Sequence, residues 1–403
     1  MRAGLVWDGR GLQSGFKAHK ERGIGRYAKN LLAALAPLLE PGQLELLYQS
    51  NLPAPTLPTT TAAAGPKLLP AAYAPAWLPI GKRLISHHLL VRRQLKEAWD
   101  QGKVVHFISH LDAPARVGPR TVLTVHDLIA QRMERLYRTG KTPVRFRLER
   151  WLETRCLSQA AAIIVPSRQT RDDLMELHGL APELIRVIPE AADPGLAPLE
   201  DLTRREEVLR FRGLDPARPF WLYLGGIDQR KDVGSLLKAL AALKEQEVPG
   251  ELVMAGSIEG DKQYPGLLKE IERLGLGGRV RMLGYVSDAE LPALFSACLA
   301  FVFPSLYEGF GLPPLEAMAC GAPVVAIKAS AVPEVVGEAG ILVEPGDAAA
   351  LAQALKALAT IPELAAELRG KGRLQSARFS WEGAARHTLA VYEEAAGERT
   401  ASG

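Results

Sequence analysis

Hydrophobic positions along the chain fall into two kinds of segment that take turns from one end to the other. Short uninterrupted apolar runs, bounded by glycine, proline or aspartate, read as strands of a parallel sheet covered on both faces. Between them lie longer segments with apolar residues three or four apart, the helical period. The runs at 2–7, 44–48, 104–108, 121–125, 161–165 and 184–188 form a first series. Those at 220–224, 252–255, 280–283 and 300–303, a run ending at Ile327, and 341–343 form a second. Helices are expected at 28–39, 82–100, 142–158, 168–178, 233–243, 264–274, 288–298 and 348–359, the last with Asp347 as its N-cap. Alternation of this kind predicts an α/β chain of two doubly wound parallel sheets. One domain is expected over 1–200 and another over 213–378, joined by the linker 189–198 and an exposed helix to about 212. An amphipathic run at 381–396 follows the second sheet and is free to pack back on the first. Residues 51–80, with seven prolines, read as a long irregular connection.

Composition narrows the class. A chain of 403 residues accommodates two domains of ordinary size. No apolar stretch approaches a membrane span, and Met1-Arg2 leads directly into a strand with no signal-peptide pattern, so a cytoplasmic protein is expected. Three widely spaced cysteines (Cys156, Cys298, Cys320) suggest reduced structural thiols without metal-ligand spacing. The net charge of +4 conceals an asymmetry: 27 Lys/Arg against 18 Asp/Glu in residues 1–200, and 22 against 27 in the remainder. The excess concentrates in 82–103 and 132–155. Such helices suit an anionic membrane or a phosphorylated acceptor, with a solvated helix face as the competing reading. No nucleic-acid module or interleaved aromatic pattern accompanies the charge, so nucleic acid is not an expected partner.

Candidate chemistry gathers around LAFVFPSLYEGFGLPPLEAMACGAPVVAI, residues 299–327. A buried strand runs into a loop broken by Gly309 and Gly311, then a short helix opened by Pro313 and Pro314 and closed at Gly321. Glu308 belongs to the loop and Glu316 to the first helical turn, at the sheet edge where open α/β folds collect ligands. Helix N-termini there also present free N–H groups to anions. Solvated acids are the competing reading for either residue alone. In the first half, Gly23 and Gly25 of GIGRY follow a strand and a polar loop, a layout that cradles phosphate or simply makes a tight turn. Lys17, His19 and Lys20 would hang on that loop. His126, with Asp127, arrives at the first sheet's edge as a catalytic candidate or as a structural histidine.

With these motifs in order, the chain resembles the retaining glycosyltransferases of the GT-B fold, family 4. The resemblance rests on SLYEGFGLPPLEAMACGAPVVA, GIGRY at 23–27, VHD at 125–127, the glycines 225–226 followed by RKD at 230–232, MAG at 254–256, LGYVSD at 283–288 and FSW at 379–381. It implies two facing Rossmann-like domains with a C-terminal helix crossing back to the first. Acceptor binding would belong to the N-terminal domain, through 17–20, the 51–80 loop and the basic helices. The C-terminal domain would bind a nucleotide sugar. Its base would lie near Gly284, Tyr285 and Val286, among the loop glycines Gly226 and Gly256. Glu316 would hold the ribose hydroxyls and Glu308 the donor sugar. The N–H groups around Phe310, Gly311 and Leu312 would face the distal phosphate or sugar. Arg230 and Lys231 would neutralise the departing diphosphate. Gly226 stands where many members carry an arginine, and Arg230 would supply that guanidinium.

The GIGRY and HDLI sequences resemble bacterial mannosyltransferases of polysaccharide assembly. The resulting expectation is transfer of mannose from GDP-mannose to a glycan or lipid-linked acceptor, with a UDP-sugar donor as the alternative. No resident cofactor or divalent metal is expected, because two cations serve the diphosphate and no D-x-D pair is present. Retention would follow front-face attack, no residue marking itself as a nucleophile, with His126 bonding the donor sugar or steadying oxocarbenium charge. Nucleotide-sugar epimerases and phosphorylases share the architecture, and the glutamate pair in its GFGLP setting speaks against both, which fold alone does not decide. A non-catalytic nucleotide-binding partner of another transferase is the alternative of a different class.

Overall fold

The computed structural model describes residues 1–16, 23–57, 65–71, 80–137 and 143–398, apart from the side chains of 80–88, 143, 145, 146 and 149. Lys17, His19 and Lys20 lie outside the described residues, as do 58–64 and 72–79 of the proline-rich connection. The chain divides into two compact units, Met1–Glu190 with Ser380–Gly403, and Ala191–Phe379. Residues 191–200, read from the sequence as the end of the first domain and its linker, belong to the second unit. Leu196 is buried in that unit's core, and the Leu199 N–H donates to Ser296 Oγ at 2.9 Å.

The first unit is built on strands β1 (Leu5–Asp8), β2 (Leu44–Gln49), β3 (Lys67–Ala71), β4 (Val104–Phe107), β5 (Thr121–Thr124), β6 (Ala162–Val165) and β7 (Ile185–Val187), ordered β3-β2-β1-β4-β5-β6-β7. Every pairing is parallel. β3 corrects the reading of 51–80 as wholly irregular. It is an edge strand whose Pro70 and exposed Lys67 suppress the usual strand pattern, yet it runs in register with β2 from Glu45↔Lys67 to Gln49↔Ala71.

The helix Trp381–Ala396 packs within this same unit, capped by Ser380, whose Oγ accepts the Gly383 N–H. Its Tyr392 hydroxyl meets His106 Nδ1 on β4 at 2.6 Å, while His106 Nε2 meets Thr124 Oγ1 at 2.9 Å. Burial holds His106 neutral, its pKa pushed down to about 3. Trp381 stands edge-on to Tyr27, Arg186 pairs with Glu394 at 2.8 Å, and the Met1 ammonium pairs with Glu393 at 3.1 Å.

The second unit holds β8 (Phe220–Leu224), β9 (Glu251–Ala255), β10 (Val280–Gly284), β11 (Ala300–Phe303), β12 (Val324–Ile327) and β13 (Ile341–Val343), all parallel, ordered β10-β9-β8-β11-β12-β13. Alternate residues feed opposite faces. Trp221, Tyr223, Ala300 and Val302 enter one core layer, and Phe220, Leu222, Phe301 and Phe303 the other. The helix Pro362–Ser376, unforeseen in the sequence, lies against the helix Leu312–Ala319. Gly370 and Gly372 disguise it as a broken segment. Gly372 is there for contact, since a Cβ would lie 3.2 Å from Met318 Cγ. The strand order reverses between β8 and β11, so the loops after those two strands flank this unit's topological switch point.

Candidate active site

Loops leaving the C-terminal ends of β8, β9 and β10 are laced together through their backbones. The Gly225 N–H donates to Ala255 O at 3.0 Å and the Gly256 N–H to Gly284 O at 2.8 Å. Gly256 has φ +137°, and a Cβ on it would fall 2.3 Å from Gly225 O, so only glycine fits. Tyr223 reaches up from β8 and donates its hydroxyl to Gly226 O. Burial raises that phenol far above its ordinary pKa, which keeps it a donor.

Across the switch point, the loops after β8 and β11 meet in a cluster of charge. Arg230 and Lys231 lie in the tight turn Gln229–Lys231, and the Leu306 N–H donates to Arg230 O at 2.8 Å, joining the two loops. Glu308 Oε1 accepts from Arg230 Nη1 at 2.6 Å, Lys231 Nζ at 2.7 Å and Ser305 Oγ at 2.6 Å. Arg230 Nη1 also donates to Tyr307 O at 2.8 Å, and its Nε stands 3.5 Å from Asp228 Oδ1. Lys231 Nζ lies 5.1 Å from the centre of the Phe303 ring. Burial pushes the Glu308 carboxyl pKa up, but the Lys231 and Arg230 charges and the Lys231 and Ser305 hydrogen bonds outweigh it and hold it low. The three side chains are each only 11–15% exposed. Solvated Glu308 is thereby excluded, and the cations expected to serve a diphosphate already share a carboxylate partner.

Glu316 is 2% exposed on the helix Leu312–Ala319, so the solvated reading fails there as well. Gly311 is that helix's N-cap with φ +121°, and the Phe310 ring is buried against Phe379, their centroids 5.8 Å apart. Phe310 can therefore offer a ligand only its backbone. Pro313 and Pro314 delete two of the N–H groups a helix start normally presents, and the Leu315 N–H is bonded to Gly311 O. In this opening turn the N–H groups are thus reduced to that of Leu312 ahead of the two prolines. Tyr285 is 70% exposed beyond β10, a ring open to stacking, whereas the Val286 side chain is packed in the core.

In the first unit, Gly23 and Gly25 form the opening turn of the helix Gly23–Leu35, not a loop ahead of it, and Gly25 is buried. Apolar residues of that helix (Tyr27, Leu31, Leu32, Leu35) fix its face, and its start lies further toward the N-terminus than the glycines suggest. His126 stands just past β5, at the sheet edge, as expected. Its Nε2 is 2.9 Å from Ile108 O and its Nδ1 is 3.1 Å from Glu190 Oε1. Tyr27 closes the ring face edge-on at 4.7 Å. Burial lowers the imidazole pKa, but the hydrogen bond and charge of Glu190 carry it above the ordinary value. Both ring nitrogens are thus partnered within the first unit.

The basic stretch 142–158 contains the helix Pro143–Thr154, on which Val144, Leu148 and Trp151 are exposed four and three residues apart beside exposed Arg147. Arg155 lies over the Trp151 ring at 4.6 Å. No helix among the described residues is long and apolar enough to cross a membrane.

Ser305, Asp228, Tyr223 and Glu190 escaped the sequence reading. Ser305 and Asp228 sit in loops whose side-chain directions no periodicity reports. Glu190 is hidden in PEAADPGLAP, where proline and alanine signal a linker and nothing marks a buried carboxylate.

The sequence profile described as Glycosyl transferases group 1 matches residues 204–375, and that of Glycosyltransferase Family 4 matches residues 22–196. O-antigen chain mannosyltransferase B of Escherichia coli is 30% identical over 382 residues, covering 92% of this chain and 96% of its own. The MMP alpha-(1->4)-mannosyltransferase of Mycolicibacterium hassiacum is 31% identical over 70% of this chain and 67% of its own. In fold the chain is similar to the sucrose-phosphate synthase of Thermosynechococcus elongatus, with TM-score 0.74 and 22% identity over 99% of this chain and 100% of that one. It is also similar to Anabaena HepE, solved with UDP and glucose, with TM-score 0.69 and 21% identity over 96% and 98%. Profiles covering both halves and a relative aligned almost end to end converge on one assignment: the chain is a GT-B fold enzyme of the family 4, group 1 glycosyltransferases.

Proposed function

We propose that this glycosyltransferase moves mannose from GDP-mannose to a glycan or lipid-linked acceptor with retention at the anomeric carbon. The observation that carries the reading is the Arg230–Lys231–Glu308 cluster at the switch point of the second sheet. The mannosyl donor draws its support from the relatives named as mannosyltransferases.

Breaking the bond from the sugar to the diphosphate leaves additional negative charge on the phosphate oxygens. Cations fixed beforehand act more strongly on that transition state than on the ground state. Glu308 Oε1, Ser305 and Tyr307 O hold Arg230 and Lys231 in place before a donor arrives. Among the described residues all the hydrogen bonds to the Glu308 carboxylate land on Oε1, which leaves Oε2 to accept from a hydroxyl of the donor sugar. Glu316 accepts from the ribose hydroxyls, a charge-assisted clamp that its burial makes dry. The exposed Tyr285 ring stacks on the base. The acceptor hydroxyl attacks the anomeric carbon on the face the diphosphate leaves. Its proton passes to the departing phosphate oxygen as the new C–O bond forms, so the configuration is kept with no enzymic nucleophile. Two cations in place of a divalent ion make the reaction insensitive to EDTA. The first unit binds the acceptor, and the exposed Val144, Leu148 and Trp151 with their flanking arginines rest on an anionic membrane surface when that acceptor is lipid-linked.

The test is turnover across GDP- and UDP-sugars with mannan and lipid-linked acceptors. GDP-mannose is expected to react, and Lys231→Ala and Glu316→Ala to lose at least about 100-fold in kcat/KM while remaining folded. Preference for a UDP-sugar would replace the donor assignment. Wild-type rates in both variants would end the assigned roles.

A further inference from the structure

His126 makes a proton-accounting problem whose solution lies in Glu190. Ile108 O is a carbonyl and can only accept, so a proton occupies Nε2. Nδ1 faces Glu190 Oε1 at 3.1 Å, and a hydrogen bond there requires a second proton between the two atoms. An ordinary imidazole is the stronger base of the pair by about two pKa units, so that proton belongs to the ring. We propose that Glu190 is a positioning residue that holds His126 as an imidazolium, ring fixed, and so gives the first unit a standing positive charge used in transfer. The proposal rests on the transferase reading above and adds to it a residue and a charge state.

The surroundings support a charged ring. Glu190 is 5% exposed, in the irregular stretch just after β7. Asp127, next in the chain, adds a favourable negative charge and accepts the Ile129 N–H at 3.0 Å. From the helix Gly23–Leu35, Tyr27 packs edge-on against the ring while its hydroxyl bonds Thr124 Oγ1 at 3.2 Å. From β4 and the turn after it come His106 and His110, both buried and driven to a pKa of about 3, the His126 charge among the causes. Both are neutral, so neither competes with His126 for the role of cation.

Glu190→Gln tests this without disturbing shape. Glutamine can donate Nε2–H to Nδ1 while Nε2–H of the histidine still donates to Ile108 O, so both hydrogen bonds survive and the ring charge does not. Glu190→Asp keeps the carboxylate and serves as the conservative rescue. Two readouts are needed: histidine titration by NMR on the full chain without substrate, and the pH profile of kcat/KM. The expected result is that His126 titrates above the ordinary histidine value in the wild type and below it in Glu190→Gln. The alkaline limb of kcat/KM should then move to lower pH by at least one unit, with Glu190→Asp close to wild type. An unchanged His126 titration overturns the proposal, as does a shifted titration with an unmoved pH profile. If Glu190→Gln fails to fold, Glu190→Asp and the wild-type titration still decide it: an ordinary or lowered His126 value in the wild type refutes it. A chain that turns over no nucleotide sugar defeats the transferase reading, and the titration still reports separately on the pair.

Discussion

Replacing Glu308 with glutamine keeps the shape of the cluster and removes its negative charge, leaving Arg230 and Lys231 side by side in a largely buried loop. At separations of 2.6 and 2.7 Å the two attractions are each worth about 6 kcal/mol at an effective dielectric constant of ~20. Desolvation offsets most of that. Breaking a buried pair by removing one partner costs about 3–5 kcal/mol, and the retained hydrogen bonds from Ser305 and Arg230 place glutamine near the lower end, about 3 kcal/mol. For a unit of this size that corresponds to a melting point lower by roughly 6–12 °C. The pH dependence supplies an internal control. Glu308 has its pKa depressed by folding, so its contribution is complete above the ordinary carboxylate range and disappears as pH falls through the folded value. Wild type and Glu308→Gln should therefore differ at pH 7 and converge in acid, measured by denaturant titration at both. Equal stability at pH 7 within about 0.5 kcal/mol, or a gap that persists unchanged in acid, would refute the electrostatic account of this cluster.

Other outcomes follow from the same geometry. Gly256→Ala should cost at least about 2 kcal/mol and abolish nucleotide binding, because its Cβ collides with Gly225 O and its φ suits only glycine; thermal shift with GDP and UDP checks both effects. Leu148→Glu should release the chain from vesicles rich in phosphatidylglycerol while its rate on a water-soluble acceptor stays at the wild-type level; unchanged co-sedimentation would end the membrane proposal. Transfer should continue in excess EDTA, and loss of activity restored by Mg²⁺ or Mn²⁺ would contradict a metal-independent reaction.

The fold was largely legible because parallel strands buried on both faces write themselves as apolar runs. Ala300–Phe303 and Phe220–Leu224 stand at the residues their composition marks. What stayed hidden obeys other rules. β3 is an edge strand with Pro70 and exposed lysine, and the helix Pro362–Ser376 carries two glycines, of which Gly372 is required by packing against Met318. In the site, glutamates 308 and 316 were recognisable from their frame, but not that Glu308 would hold both cations on a single oxygen. That depends on loop directions fixed by the Leu306 to Arg230 backbone bond. Glu190 shows the limit most clearly, a buried partner of His126 lying 64 residues away inside what reads as a linker.

The most direct measurement of the central claim is the configuration of the product. With GDP-α-mannose and a mannan or lipid-linked acceptor, the account predicts a new mannosyl unit whose anomeric one-bond C–H coupling is that of an α-linkage, lost in Lys231→Ala. A β-linked product, or no transfer from any nucleotide sugar, would contradict it.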